Sequence, residues 1–299
     1  MNATLQDYLS GRISAEIAVA QFLFSGWQTS EIEAALDEAA LDRAALDRAA
    51  LDRAGGDARL DVVRALLAGR EGQLDRLAAH VRDNVVDHHA FGATPSEGIA
   101  RIAGFFDRAV KASPEASVAL YSLGDPVILS AATREVVDWL EGQGLLGADR
   151  DVLDLGCGIG RVAAALAERC REVLGLDVSA GMIAEARRRH AWAANVSFEQ
   201  TDGLGFGMLA DAALDLIVVV DSFPYVIQTG DEMVAAHLEG ARRVLRPGGA
   251  IAFFNVSYEH EHDDAALVTE WAERFGFELV VAGVQPFRLW DGSASVLRR

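Results

Sequence analysis

Basic charge is scarce in this chain of 299 residues. Against 45 Asp and Glu stand 27 Lys and Arg, and Lys111 is the sole lysine. The formal net charge of −18 repels a phosphate backbone, and no stretch interleaves basic residues with aromatics. DNA and RNA are therefore not expected as partners. Cysteine is scarcer still. Of the two, Cys157 sits among glycines and Cys170 ends the next helical stretch, which implies no disulfide framework. Cys157 reads as packing within a turn and not as a nucleophile. No apolar run reaches the length of a membrane span, and Met1 to Ser10 lacks the charged start of a signal peptide. A cytoplasmic location without membrane contact is expected. What the chain does have is apolar side chain, 51% of residues, enough for a sizeable core in one large or two smaller domains.

The densest information lies in Val152-Leu-Asp-Leu-Gly-Cys-Gly-Ile-Gly-Arg161. Asp151 to Leu155 reads as a buried parallel strand, and Arg161 to Arg169 as a helix. A glycine-rich turn between them lets the backbone approach a ligand closely, because no Cβ intervenes. A second apolar run, Glu172 to Leu176, ends at Asp177, a carboxylate placed to accept hydrogen bonds from ribose hydroxyls. The pattern predicts a nucleoside site at the carboxyl edge of an open α/β sheet. It is not the dinucleotide fingerprint, whose third glycine would fall at Arg161. The glycines instead stand at Gly156, Gly158 and Gly160, after Asp154.

This segment resembles motif I of the class I S-adenosylmethionine-dependent methyltransferases, and further signals follow in order. A helix over Ala180 to His190 leads to a third strand, Val196 to Gln200, then Thr201-Asp202-Gly203. Leu214 to Val220 is a fourth, fully buried strand ending at Asp221-Ser222. The next helix ends in Arg242-Arg243-Val-Leu-Arg246, with basic residues suited to its dipole, and Pro247-Gly248-Gly249 stops it. Ile251 to Val256 is the fifth strand. The resemblance covers about residue 121 to the end and implies a seven-stranded Rossmann-like sheet. It also implies S-adenosylmethionine as cofactor, with S-adenosylhomocysteine as product. It assigns cofactor contacts to Asp154, Gly156, Cys157, Gly158, Gly160, Asp177, Val178, Met182, Asp202, Gly203, Asp221 and Ser222, with Asp202 matching the residue beside the adenine amino group. Asp221-Ser222-Phe223-Pro224 departs from the Asn/Asp-Pro-Pro-Tyr of the amide and nucleobase N-methyltransferases, which argues against planar nitrogen acceptors.

Residues 1–120 carry helical patterns and no strand signals, and read as an all-helical cap or lid region. Ala-Leu-Asp-Arg-Ala recurs in register from Ala35 to Ala54, with Glu38 in place of Arg in the first unit. Five residues advance a helix about 140° past a full turn, so Leu36, Leu41, Leu46 and Leu51 spiral and form no stripe. No coiled coil is expected from it. A low-complexity helix over about 35–54 is predicted, ending at Gly55-Gly56, and Leu60 to His89 is amphipathic. These N-terminal helices are the expected surface for a homodimer. Asp125-Pro126 has the N-cap and first-turn residues of a helix start, with Val127 to Leu140 following.

Acceptor residues are expected beyond the strand ends. Tyr225 follows the fourth strand. Phe287, Arg288 and Trp290 follow the sixth, Glu278 to Val284, and a last strand over Ser293 to Arg298 pairs antiparallel beside it. Tyr121 belongs to the segment that in many small-molecule members folds over the cofactor. Phe287 and Trp290 would wall a pocket, covered by the N-terminal region, and Arg288 would meet an acidic group. Tyr121, His88, His89 and His260 are the candidate bases, without a choice among them. His260 and His262 match no metal-ligand spacing, and no metal is expected. The expected function is methyl transfer to a small-molecule metabolite. Open alternatives are a catalytically silent S-adenosylmethionine-binding regulatory or assembly subunit and a methyltransferase with a protein acceptor.

Overall fold

The computed structural model describes residues 2–46, 53–83, 94–257 and 263–299. His88, His89, His260 and His262 lie outside them. The chain divides into two compact units, the first comprising Met1–Val85, Ala112–Leu129 and Arg288–Asp291, the second Val86–Lys111, Ser130–Phe287 and Gly292–Arg299. The division is not a single cut at residue 120, because helix α6 (Pro95–Ala112) belongs almost wholly to the second unit. Among the described residues no helix is long and apolar enough to cross a membrane.

The first unit is helical: α1 (Ala3–Leu9), α2 (Ala15–Phe24), α3 (Thr29–Leu46), α4 (Arg53–Leu67), α5 (Glu71–Asp83) and α7 (Pro114–Val118). Asn2 and Ser14 cap the first two helices through side-chain oxygens that accept from Thr4 and Ile17 N–H. The core contains Leu5, Phe22, Leu23, Ile32, Leu36, Leu60, Leu67 and Leu74. One expectation needs correction. Gly55 and Gly56 do not end a helix; α4 runs through both. Glycine weakens a helix by only about 1 kcal/mol each, and buried Leu60, Val63 and Leu67 hold this one in place. The first two leucines of the repeat turn to different sides, as a five-residue period requires. Ile32, Leu36 and Ala39 form a buried stripe, while Leu41 is 71% exposed. In the same unit Tyr121 and Trp290 are both buried and stack at 5.7 Å.

The second unit holds a seven-stranded sheet in the order β3-β2-β1-β4-β5-β7-β6. The strands are β1 (Asp151–Leu155), β2 (Glu172–Asp177), β3 (Val196–Gln200), β4 (Leu214–Val220), β5 (Leu245–Phe254), β6 (Glu278–Val284) and β7 (Ala294–Arg298). All neighbouring pairs are parallel except those of β7, which runs antiparallel to both β5 and β6. Helix α8 (Pro126–Gly142) precedes β1, and α9 (Arg161–Ala167), α10 (Ala180–Arg189), α11 (Phe223–Gln228), α12 (Asp231–Val244) and α13 (Asp264–Phe275) connect the strands. β4 is buried from Leu216 to Val220, as its unbroken apolar run requires. One face packs through Phe223, Phe253 and Trp271, whose rings lie 4.9–6.0 Å apart.

Pro247-Gly248-Gly249 does not follow a helix, contrary to the sequence reading. α12 stops at Val244, and the tripeptide lies inside β5. The register between β4 and β5 slips there, from Leu214 opposite Leu245 to Leu216 opposite Ala250. A bulge absorbs a proline that cannot donate and a Gly248 at φ 80°. Strand order reverses where β1 lies between β2 and β4. An open α/β sheet binds its ligands in the crevice beyond the carboxyl ends at such a point.

Candidate functional site at the carboxyl edge

The turn after β1 is held by its own backbone. Gly156, Gly158 and Gly160 all take positive φ, at 74°, 53° and 78°. Gly156 and Cys157 N–H both donate to the Leu176 carbonyl, at 2.7 and 2.9 Å, tying the turn to the end of β2. A Cβ on Gly156 would stand 2.3 Å from Ser222 Cβ, and one on Gly160 would stand 2.6 Å from the Phe198 ring. Ser222 is held in turn by its Oγ, which donates to the Leu155 carbonyl at 2.6 Å. The glycines are thus required by space as well as by φ.

Asp154 lies beneath this turn. It is 2% exposed, and its Oδ2 accepts the Ala163 N–H at 2.9 Å. Gly160, the N-cap of α9, has no side chain to satisfy that first-turn donor, so Asp154 does so from below. Burial pushes its pKa up to about 7, opposed by nearby Arg161 and by the Ala163 bond. Arg161 itself donates to Thr133 Oγ1 at 3.0 Å. Cys157 is buried with its thiol pKa raised well above normal by burial, as suits packing and not nucleophilic chemistry.

Asp177 closes β2. Its Oδ2 accepts from Gly158 N–H at 2.9 Å and its Oδ1 from Ser179 N–H at 2.8 Å. Burial raises its pKa to about 6, against those backbone bonds. An ionised carboxylate offers about four lone-pair sites, so hydroxyl donors can still be accepted. Ser179 Oγ caps α10 by accepting from Met182 N–H at 3.0 Å. Gly203 faces this place, and a Cβ on it would meet Val178 Cγ1 at 2.8 Å and Ile99 Cγ2 at 3.1 Å. Asp202 is exposed and accepts from Leu204 N–H at 3.0 Å.

Sequence reasoning missed the contribution of α6. Asp107 Oδ1 accepts from Ser179 Oγ at 2.6 Å and from Gly181 N–H at 2.8 Å. A Cβ on Gly181 would lie 3.0 Å from that same oxygen and 3.1 Å from Val110 Cγ1, so this glycine lets α6 close onto α10. The Ser179 bond lowers the Asp107 pKa most, with the Gly181 bond, Lys111 and Arg108 adding to it against burial. The stripe Ile99, Phe106, Asp107 and Val110 has helical spacing. The sequence could have revealed that amphipathic face but not its target.

The edge beside β4 and β5 carries strain. Asp221 and Asn255, just past the two strand ends, have φ of 53° and 64°. Such values are uncommon outside glycine, though Asn and Asp tolerate them best. Asn255 Nδ2 donates to Asp221 Oδ1 at 2.7 Å, while the Asp221 and Asn255 N–H groups donate to the Phe254 and Ser293 carbonyls. Tyr225 on α11 meets Phe106 edge-on at 5.2 Å. Phe287 packs on Phe254 at 5.7 Å, and Arg288 is exposed. The loop after β6 therefore divides, Phe287 with the sheet unit and Arg288 to Asp291 with the helical one. Among the described residues no group of three His, Cys, Asp or Glu could hold a metal ion.

The turn therefore fits a nucleoside with an amino-acid tail: a Cβ-free cradle, a buried acceptor at Asp177 and an exposed acid at Asp202. Residues 152–249 match the family described as methyltransferase domain. The chain is 34% identical over 148 residues to a trans-aconitate 2-methyltransferase of Deinococcus radiodurans, covering 49% of this chain and 52% of that one. It is also 34% identical over 126 residues to a malonyl-[acyl-carrier protein] O-methyltransferase of Serratia marcescens, covering 42% and 45%. It thus spans about half the length of these two relatives. The fold is shared with a Haemonchus contortus phosphoethanolamine N-methyltransferase 1 in complex with phosphoethanolamine and S-adenosylhomocysteine, at TM-score 0.50 and 18% identity over 68% of this chain and 49% of that one. Sheet order, glycine turn and family match agree: residues 152–249 carry a methyltransferase domain, built on the seven-stranded sheet of the Rossmann-like methyltransferases.

Proposed function

We propose that the protein transfers the methyl group of S-adenosylmethionine to a small-molecule acceptor, and that the cofactor's ribose hydrogen-bonds to Asp177. The observation that carries this reading is the buried Asp177 carboxylate, fixed by Gly158 and Ser179 N–H with acceptor sites left over. Gly156, Cys157, Gly158 and Gly160 cradle the amino-acid tail. Val178, Met182, Asp202 and Gly203 take the adenine, and Asp221 and Ser222 lie toward the sulfur. Asp154 supports the turn from below through Ala163, and Asp107 holds α6 against the start of α10.

The bound cofactor supplies a sulfonium already primed for displacement, so the chain's task is to align the nucleophile and exclude water. Tyr225 and Phe106 offer an aromatic wall for an acceptor. Asp221, oriented by Asn255, is the carboxylate best held to accept a proton or a hydrogen bond from an acceptor hydroxyl. The acidic chain and the absence of the planar-nitrogen motif after β4 support a metabolite acceptor, as does the trans-aconitate specificity named for one relative. The test is transfer of labelled methyl from the cofactor into a fractionated metabolite extract, with trans-aconitate as a defined arm. Label in a small-molecule fraction is expected. Label confined to protein or RNA would overturn the acceptor class.

A further inference from the structure

A pocket of about 350 Å³ lies where the start of β5 meets the end of β7, at the edge of the sheet unit opposite the glycine turn. It is lined by Glu239, Arg242, Arg243, Arg274, Phe275 and Arg299. These residues come from the last turns of α12 and α13 and from the residue that follows β7. Antiparallel pairing sets the end of β7 beside the start of β5, remote from Asp221 and Asn255.

Elsewhere in this unit two pairs of arginines share a carboxylate, while Arg187 donates to the Phe198 carbonyl. Arg171 and Arg246 share Asp151, and Arg188 and Arg189 share Glu185. In the pocket the balance is reversed. Arg243 pairs with Asp211 at 2.5 Å, but Arg242, Arg274 and Arg299 have no carboxylate within ion-pair distance among the described residues. Glu239 is the single acidic side chain in the lining. The guanidinium groups are nonetheless held. Arg242 Nε donates to the Gly276 carbonyl at 3.2 Å, and Arg299 Nη1 donates to the Arg243 and Leu245 carbonyls. Arg274 lies over the Phe275 ring at 5.0 Å. Arg242 spends one N–H of its five on the backbone and Arg299 one nitrogen, so most of their donors remain for a ligand. Guanidinium forks fixed this way match oxyanions in paired, parallel hydrogen bonds. In a chain of net charge −18 this is a local inversion of sign.

We propose that this pocket binds a small, multiply charged oxyanion, one bearing phosphate or carboxylate groups. It is separate from the cofactor site and does not depend on the methyltransferase reading. Neutralising three unmatched guanidinium groups favours two or more negative charges on the ligand, and the volume suits a compact molecule, not a polymer.

The test is calorimetric titration of the full chain with pyrophosphate and with citrate, ionic strength being matched with chloride. One-site binding of at least one probe is expected, weakened tenfold or more in Arg242→Gln and in Arg274→Gln. Circular dichroism and thermal unfolding serve as the check on folding in each variant and should match the parent. Preference for pyrophosphate assigns the phosphate class, and preference for citrate the carboxylate class. No binding of either probe at millimolar concentration, or equal affinity in both folded variants and the parent, would overturn the proposal. Should one variant fail to fold, the other decides.

Discussion

At the scale of single residues, three buried or half-buried carboxylates divide the work at the carboxyl edge. Asp177 is the one whose ionisation matters to the ligand. Its pKa stands at about 6 and that of Asp154 at about 7, both raised by burial above the ordinary carboxylate value near 4. The sign follows from proton linkage. Between pH 4 and 7 the folded chain holds more protons at these groups than the unfolded chain. Their contribution to stability is complete below pH 4 and is lost as pH rises through 6 to 7. The ligand works the other way, because ribose hydroxyls donate best to an ionised Asp177. S-adenosylhomocysteine affinity should therefore rise about tenfold from pH 5 to pH 7.5. Asp177→Asn should flatten that profile, as measured by calorimetry across the range. A flat profile in the parent would remove Asp177 from the ribose.

Asp107 has the opposite sign. Its pKa is lowered, chiefly by the Ser179 hydrogen bond, so its stabilising effect is present above pH 4 and lost as pH falls below it. Asp107→Asn, which keeps an oxygen acceptor but removes the charge, should weaken S-adenosylhomocysteine binding by about 0.5–1.5 kcal/mol, the scale of one ordinary hydrogen bond. Amide exchange at Gly181 should quicken together with that loss. If exchange quickens and affinity stays unchanged, α6 does not act on the cofactor.

At the scale of elements, the sequence was most legible where one physical rule acts alone. The apolar runs at β1 and β4, the glycines that no Cβ could replace, and the Asp125-Pro126 helix start all read directly. Legibility failed where two rules compete. Glycines 55 and 56 looked like a stop, but a buried stripe downstream carried α4 through them. Pro247-Gly248-Gly249 looked like punctuation, but pairing with β4 and β7 drew it into a strand through a bulge. The repeat in α3 was legible, because its five-residue period turns successive leucines to different sides. Leu36 and Leu41 occupy equivalent places in successive units, yet Leu36 is fully buried and Leu41 is exposed. Leu36→Ala should destabilise the helical unit by about 2–5 kcal/mol, and Leu41→Ala by no more than about 0.5 kcal/mol. Limited proteolysis with thermal unfolding would read the difference. Equal effects would mean that the α3 stripe does not pack as described.

At the scale of the whole molecule, the topology follows from strand order and burial, but the contacts that complete the site were not in the sequence. Asp107 acts across 72 residues on Ser179, and no local pattern in α6 names that partner. The Asn255 bond to Asp221 is equally nonlocal, and only the left-handed backbone at both positions marks it. Asp154 shows the converse. Its place in the motif was plain, but its carboxylate is turned to Ala163 and serves the turn itself. The chain's strong negative charge and the pocket of unmatched arginines likewise belong to the molecule as a whole, since the arginines meet only after β7 returns to β5.

The central claim is that the glycine turn and Asp177 hold an adenosyl amino acid and not a dinucleotide. Calorimetric titration of the full chain with S-adenosylhomocysteine and with NAD tests it most directly, with Asp177→Ala run beside the parent. The account predicts one-to-one binding of S-adenosylhomocysteine, weakened by about 1.5–3 kcal/mol in Asp177→Ala, and no binding of NAD, because Arg161 stands where the dinucleotide turn needs glycine. Binding of NAD with no binding of S-adenosylhomocysteine would contradict it.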